Sequence, residues 1–314
     1  MTDRTSDSDL GTASPLSIDE AGRLMRQATM ASVLVAALLI GIKLYAYLAT
    51  GSVALLSTLL DSGLDMAASL INLLAVRHAL TPADAEHRFG HGKAEPLAGM
   101  AQVAFILGSS VLLLIEVVQH FTDPQPVTQP EVGIIVMVAS IVITALLMLF
   151  QRRVIRRTRS LAVRADAAHY FSDFLVNAAV IAALLLSAWF GWWWIDPAFG
   201  LAVALFIAFT AIGIGRDAFD MLMDREMDDA ERELIKAIVR RHSDALNLHE
   251  LRTRIAGQFR FIQFHLEMNG DITLREAHRI SDAVEEDLLQ TFPGAEIIIH
   301  QDPYGVAERK REFK

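Results

Sequence analysis

The sequence predicts a polytopic α-helical membrane protein of six transmembrane helices, followed by a small C-terminal cytoplasmic α+β domain of order αββαβ. Three observations predict it. Of the 314 residues 53% are hydrophobic, and the mean hydropathy of +0.36 is too high for an ordinary soluble domain. Apolar stretches of about 20 residues, the length a helix needs to cross hydrocarbon, recur six times before residue 224. After Asp224 the composition turns abruptly to a charged, amphipathic pattern.

Residues 1–20, rich in Ser, Thr and Asp, hold too little apolar surface to order themselves and read as a disordered tail. No basic start precedes a short apolar core, so the first apolar run reads as a retained span rather than a signal peptide. Spans are expected near 28–49, 53–77, 97–120, 131–151, 167–190 and 195–216, within a transmembrane domain of residues 21–223. Val132–Phe150 and Pro197–Gly215 contain no charged residue. Lys43, near the outer end of the first span, is expected to snorkel in a structural role.

Orientation follows from the connections, because short cytoplasmic loops collect Lys and Arg. Gln151–Arg164 carries Arg152, Arg153, Arg156, Arg157, Arg159 and Arg164 and no acid. The 122–131 connection has Asp123, Glu131 and three prolines without a base, and Trp192, Trp193 and Trp194 form an interfacial belt. Those two belong outside, which puts both termini and the 78–96 loop in the cytoplasm. In the soluble domain, 224–304, a helix is expected over Asp228–Arg241, strands over Leu248–Ile255 and Phe259–Met268, a helix over Thr273–Gln290 and a last strand over Ala295–Gln301. Thr273 with Glu276 three residues on is a capping-box signature. Residues 305–314 read as a charged tail.

The net charge of -9 is unevenly distributed, so local clusters say more than the bulk value. With no cysteine, disulfides, thiolate metal sites and cysteine nucleophiles are excluded, and any metal falls to His, Asp and Glu. No aromatic and basic platform suits nucleic acid. Asp61 and Asp65 lie mid-way along the second span, four residues apart and therefore on one helical face. His169 and Asp173 repeat the spacing in the fifth span. One imidazole and three carboxylates suit a tetrahedral Zn(II) site and accept other divalent first-row ions. A charge at mid-membrane costs roughly 3 kcal/mol even on the lenient insertion scale, and no Lys or Arg is expected at that depth, so the charge needs another partner.

The 78–96 loop sets Asp84, His87 and His91 three and four residues apart, where one helical turn would cluster them, although a polar surface loop reads equally well. In the soluble domain His249, His265, His278 and His300 read as readily as surface or core residues. His300 and Asp302 share a strand face. His78, His120 and His242 have no such company and read as structural.

Over roughly residues 20–304 the chain resembles the cation diffusion facilitators, specifically the bacterial YiiP-type zinc and ferrous-iron efflux proteins. The resemblance rests on Asp61-x-x-x-Asp65, Phe89-Gly90-His91-Gly92-Lys93-Ala94-Glu95 and Arg164-Ala165-Asp166-x-x-His169-x-x-x-Asp173. It rests equally on His249-x-Leu251-Arg252-Thr253-Arg254, Phe261-Ile262-Gln263-x-His265-Leu266-Glu267 and Ile298-Ile299-His300-Gln301-Asp302-Pro303. It implies that Asp61, Asp65, His169 and Asp173 are the transport site and that Asp84, His87 and His91 form a second metal site. It further implies a binuclear zinc site of His249, His265, His278, His300 and Asp302, with Gln301 a minor ligand. It implies a homodimer joined through the soluble domains, in a bacterial inner membrane, with Lys93 and Asp224 interlocking the dimer near the bilayer. Many zinc-selective eukaryotic members place His where this chain has Asp61, and carry a His-rich loop between spans four and five. This chain has neither, so Zn(II) with tolerance for Cd(II) and Fe(II) is expected.

With His169 neutral the quartet carries three negative charges, which cannot all stay ionised together without a cation. Metal coordinates deprotonated ligands, so metal and protons should exchange as the site alternates between the two sides. Two rivals stay open: an intramembrane metallohydrolase, weakened by the lack of a His-Glu-x-x-His pair and of an open metal position, and a metal sensor merely anchored by its spans.

Overall fold

The computed structural model describes residues 16–51, 53–122, 130–190 and 195–306. The expected tail up to residue 15, most of the Pro-rich connection, the three-Trp belt and the tail from residue 307 lie outside them. Among the described residues six long helices come first: α1 Ile18–Thr50, α2 Val53–Ala79, α3 Ala94–Thr122, α4 Pro130–Thr158, α5 Leu161–Phe190 and α6 Ile195–Leu222. A smaller unit follows in the expected order: α7 Asp229–Val239, β1 Asn247–Ala256, β2 Phe259–Met268, α8 Leu274–Thr291 and β3 Glu296–Pro303.

Among the described residues, five of the six long helices are long and apolar enough to cross a membrane by length and composition. The sixth, α5, carries Asp166, His169 and Asp173 in its first half. Each helix overruns its expected span because polar end residues extend a helix past the hydrocarbon. Residues 18–20, assigned to the tail from sequence, are the first turn of α1, where Ser17 Oγ accepts from the Glu20 amide at 3.2 Å. That Ser17-x-x-Glu20 pattern is a capping-box signature legible in the sequence.

The bundle packs by close approach of small residues, as helices in lipid must when no hydrophobic force separates them from the solvent. Ala165 on α5 and Ala211 and Ala218 on α6 are buried with Val103 and Ile106 of α3. A methyl on Gly200 would stand 2.6 Å from Val117 Cγ2, so α3 and α6 meet at a glycine. Large apolar side chains such as Leu34, Leu146, Leu149 and Phe209 instead face outward, the inverse of a soluble domain.

In the C-terminal unit the sheet order is β1-β2-β3, with β2 and β3 parallel and His265 opposite His300. The α8 crossover makes that parallel pairing geometrically available. Thr273 caps α8, its side chain accepting from the Glu276 amide as its spelling predicts. Ile262, Phe264, Leu266 and Met268 are buried on one face of β2, so His265 and Glu267 lie on the other by alternation.

Candidate metal centre

α2 and α5 bring three of the four predicted membrane ligands together. His169 Nε2 lies 3.1 Å from Asp65 Oδ1 and 3.9 Å from Asp173 Oδ2, and one ligand atom from each residue falls within 4.8 Å of the others. The His169 side chain is 5% exposed, so this cluster sits inside the bundle rather than on it. Among the described residues the ion pairs of Asp65 and Asp173 both go to His169. Asp61 stays out of the cluster. It lies one turn before Asp65, about 6 Å along the axis, and carboxylates this near repel one another.

Lys43 departs from its expected place. Its Nζ reaches Ser62 Oγ at 2.6 Å and the Thr58 carbonyl at 3.1 Å, on α2 beside Asp61. A Lys stem is long enough to reach a neighbouring helix when that helix offers acceptors, and the snorkelling reading overlooked those acceptors.

Asp166, within the Arg164-Ala165-Asp166 motif, has a structural position of its own. It is fully buried one turn before His169 and accepts from Ser32 Oγ at 2.5 Å, Gln151 Nε2 at 2.8 Å and Gln102 Nε2 at 3.2 Å. Tyr170 adds a bond to the Ser32 carbonyl at 2.9 Å and meets Ser69 Oγ at 3.0 Å. Helices α1, α2, α3 and α4 are thereby fastened to the turn of α5 that carries His169.

Asp84, His87 and His91 also converge within 4.8 Å, but not through a helical turn. Asp84 Oδ1 accepts from the amides of Glu86 and His87 at 2.9 and 2.7 Å, an Asx-type turn. The chain then bends at Gly90, φ 75°. The His87 amide bond is the main cause holding the exposed Asp84 carboxyl below its ordinary range. His91 is buried, with Nδ1 3.3 Å from the Thr81 carbonyl and Nε2 3.4 Å from Asp84 Oδ2. Lys93 Nζ lies 3.0 Å from Asp224 Oδ1, and Arg254 donates to the same oxygen at 3.2 Å. Asp224 is in the left-handed region, φ 56°, where α6 ends.

On the open face of the sheet Asp302 uses both oxygens. Oδ2 is 2.7 Å from His265 Nδ1 and 3.6 Å from His249 Nε2, while Oδ1 is 3.1 Å from His300 Nε2. Glu267, missed from sequence although it shares His265's face, lies 3.3 Å from His249. A left-handed Glu250, φ 47°, breaks the alternation of β1, so that His249 faces the cluster while Thr253, in the same parity, is buried and accepts from the Met227 amide. His278 is not brought in: it is exposed on α8, 3.3 Å from Asp282. Gln301 is turned to the opposite face, donating to Ser281 Oγ at 3.0 Å, because neighbours on a strand alternate; its side chain is not placed with the cluster.

A bundle of apolar helices around a buried imidazole and carboxylate pair defines an integral membrane carrier of metal cations. The description of a cation efflux transmembrane domain matches residues 29–223, and that of a cation efflux protein cytoplasmic domain matches 227–304. The cation-efflux pump FieF of Cronobacter sakazakii is 49% identical over 288 residues, 92% of this chain and 96% of the relative. That of Escherichia coli O1:K1 is 47% identical over 289 residues, with the same coverage of both chains. A solved chain, the metal-bound C-terminal domain of the CzcD transporter from Thermotoga maritima, is 26% identical and covers 26% of this chain and 100% of that one, with a TM-score of 0.25. The chain belongs to the cation efflux family: it is a membrane transporter of divalent metal cations, not an enzyme.

Proposed function

We propose that the protein exports Zn(II), with tolerance for Cd(II) and Fe(II), in exchange for protons, through Asp61, Asp65, His169 and Asp173. The observation that carries this reading is the convergence of Asp65, His169 and Asp173 inside apolar helices, with no Lys or Arg ion-paired to them among the described residues. Imidazole and carboxylate oxygen are ligands that Zn(II) takes in four-coordinate sites. A carboxylate in place of a second imidazole adds charge and oxygen, which suits several divalent ions rather than one. Asp61, on the α2 face that carries Asp65, supplies the fourth ligand once a cation offsets the repulsion.

The empty site and the loaded site differ in what neutralises the carboxylates. Protons do so in one state and metal in the other, so a single cluster that opens alternately to either side couples the two flows. In a bacterial inner membrane, with both termini and the 78–96 loop cytoplasmic, the inward proton gradient drives export. The loop triad Asp84, His87 and His91 binds metal at the cytoplasmic face. Asp302, with His265 and His249 at one oxygen and His300 at the other, has the form of a carboxylate bridging two metal ions. His278, exposed and remote from that cluster in its own chain, joins it from the second copy of a homodimer, with Gln301 a minor contributor through its backbone. Lys93 and Asp224 steady that dimer near the bilayer. Cytoplasmic metal bound there biases the transporter only if the two conformations bind it with different affinity.

Purified protein in vesicles that report zinc and pH together tests the coupling. Zinc movement should be matched by opposite proton movement and should reverse when the pH gradient is reversed. Zinc flux indifferent to the gradient, with no proton signal, would sink the antiport reading.

A further inference from the structure

His78 reads from sequence as a structural residue for want of neighbours, and the fold supplies them. It stands in the last turn of α2, with its ring centroid 4.5 Å from that of His91. His87 lies at 4.7 Å from His91, so His91 has an imidazole on each of two sides. The Thr81 carbonyl beside Nδ1 orients the His91 ring, leaving Nε2 toward Asp84. That is the arrangement by which a backbone carbonyl fixes the tautomer of a metal-binding histidine.

Asp84, His87 and His91 provide three ligands, and a closed four-coordinate site takes a fourth. His78, against the His91 ring, is a neighbouring side chain able to supply it. Its nitrogens lie outside the 4.8 Å circle that the other three share, but its side chain is exposed. No hydrogen bond or ion pair among the described residues fixes its ring, so turning inward breaks none.

We propose that His78 is the fourth protein ligand of the loop site, completing a set of three imidazoles and one carboxylate around a divalent cation. This rests on the reading of Asp84, His87 and His91 as a metal site. The consequence is mechanical. His78 and Asp65 are 13 residues apart on α2, about 20 Å along one helix. A cation held by His78 and the loop ties the end of the helix that carries Asp61 and Asp65 to the segment leading into α3.

The test uses full-length protein in lipid nanodiscs with the other two clusters silenced by Asp65→Ala, Asp173→Ala, His265→Ala and Asp302→Ala. Co(II) serves as the probe, with its visible d–d spectrum reporting coordination, and Zn(II) competition gives affinity. In this background His78→Ala and His78→Phe, the latter keeping a ring against His91, should each weaken binding at least about tenfold. Both should also change the spectrum from that of a four-coordinate ion. Unchanged affinity and spectrum in both variants, with binding abolished by His91→Ala, would overturn the fourth ligand and leave the loop site standing. Binding indifferent to His91→Ala as well would overturn the loop site and the proposal together.

Discussion

Asp166 and Asp65 are carboxylates on the same side of the bundle's chemistry with opposite needs. Asp166 has three donors from three other helices and is satisfied without an ion. Among the described residues Asp65 pairs only with His169. Replacing Asp166 by Ala leaves Ser32 with the Ala28 carbonyl, Gln102 with the Ala68 carbonyl and Gln151 with Ser32, but removes the acceptor all three share, and an unmet buried donor costs about 1–3 kcal/mol. We expect Asp166→Ala to destabilise the protein by about 3 kcal/mol, and Asp166→Asn, which keeps one acceptor oxygen, by less. Thermal unfolding of detergent-solubilised protein checks the order. Asp65, His169 and Asp173 were legible in the sequence because a four-residue spacing is a local property that survives without a fold. The role of Asp166 was not, since Ser32 and Gln102 stand 134 and 64 residues away and nothing local marks them as its partners. Lys43 was misread for the same reason: the acceptors that turn it inward belong to α2.

The helices were legible from hydrophobic length, and the αββαβ order from the change of period after Asp224. Their ends were less so, because polar turns continue a helix after the apolar signal stops. The Ser17-x-x-Glu20 start of α1 was nevertheless spelled out. What sequence could not supply is the bulge at Glu250, a non-glycine in the left-handed region that decides which face His249 takes. Nor could it show the face of Gln301, which depends on where β3 begins and on what α8 offers. The loop triad was found by spacing while its conformation was not, since Asx turns and a helical turn bring residues three and four apart equally close. At this scale the contact of α3 with α6 is the sensitive one. Gly200→Val forces a branched side chain into the space held by Val117, and overpacking of this kind costs about 1–3 kcal/mol. Gly200→Val combined with Val117→Ala should recover most of that loss in the same unfolding measurement. Equal destabilisation with and without Val117→Ala would mean the helices meet elsewhere.

Where α6 ends, Lys93 and Arg254 both meet Asp224. Burial alone pushes Asp224 up, but hydrogen bonds from Lys93 and Arg254 outweigh it and hold its carboxyl below the ordinary 3.8. A carboxyl lowered in the folded state contributes stability that is fully present above its unfolded pKa and is lost as pH falls through the lowered folded value. The stabilisation from this clamp should therefore be complete at neutral pH and disappear in acid below 3.8. Its size is small, at most about 1 kcal/mol, because both partners are partly exposed. Asp224→Asn should remove that acid-dependent component from the pH profile of unfolding; an identical profile in Asp224→Asn would show that the clamp contributes nothing.

The proposed transport of metal depends on its crossing at the cluster of Asp65, His169 and Asp173. The direct measurement is initial zinc flux into a dye-loaded proteoliposome under a fixed pH gradient, comparing the native chain with Asp65→Ala and His169→Ala at equal reconstitution. Loss of a directly bound ligand should reduce flux by at least about 100-fold, more than the loss of a supporting contact does. Flux at the native rate in either variant would contradict the assignment of this cluster as the transport site.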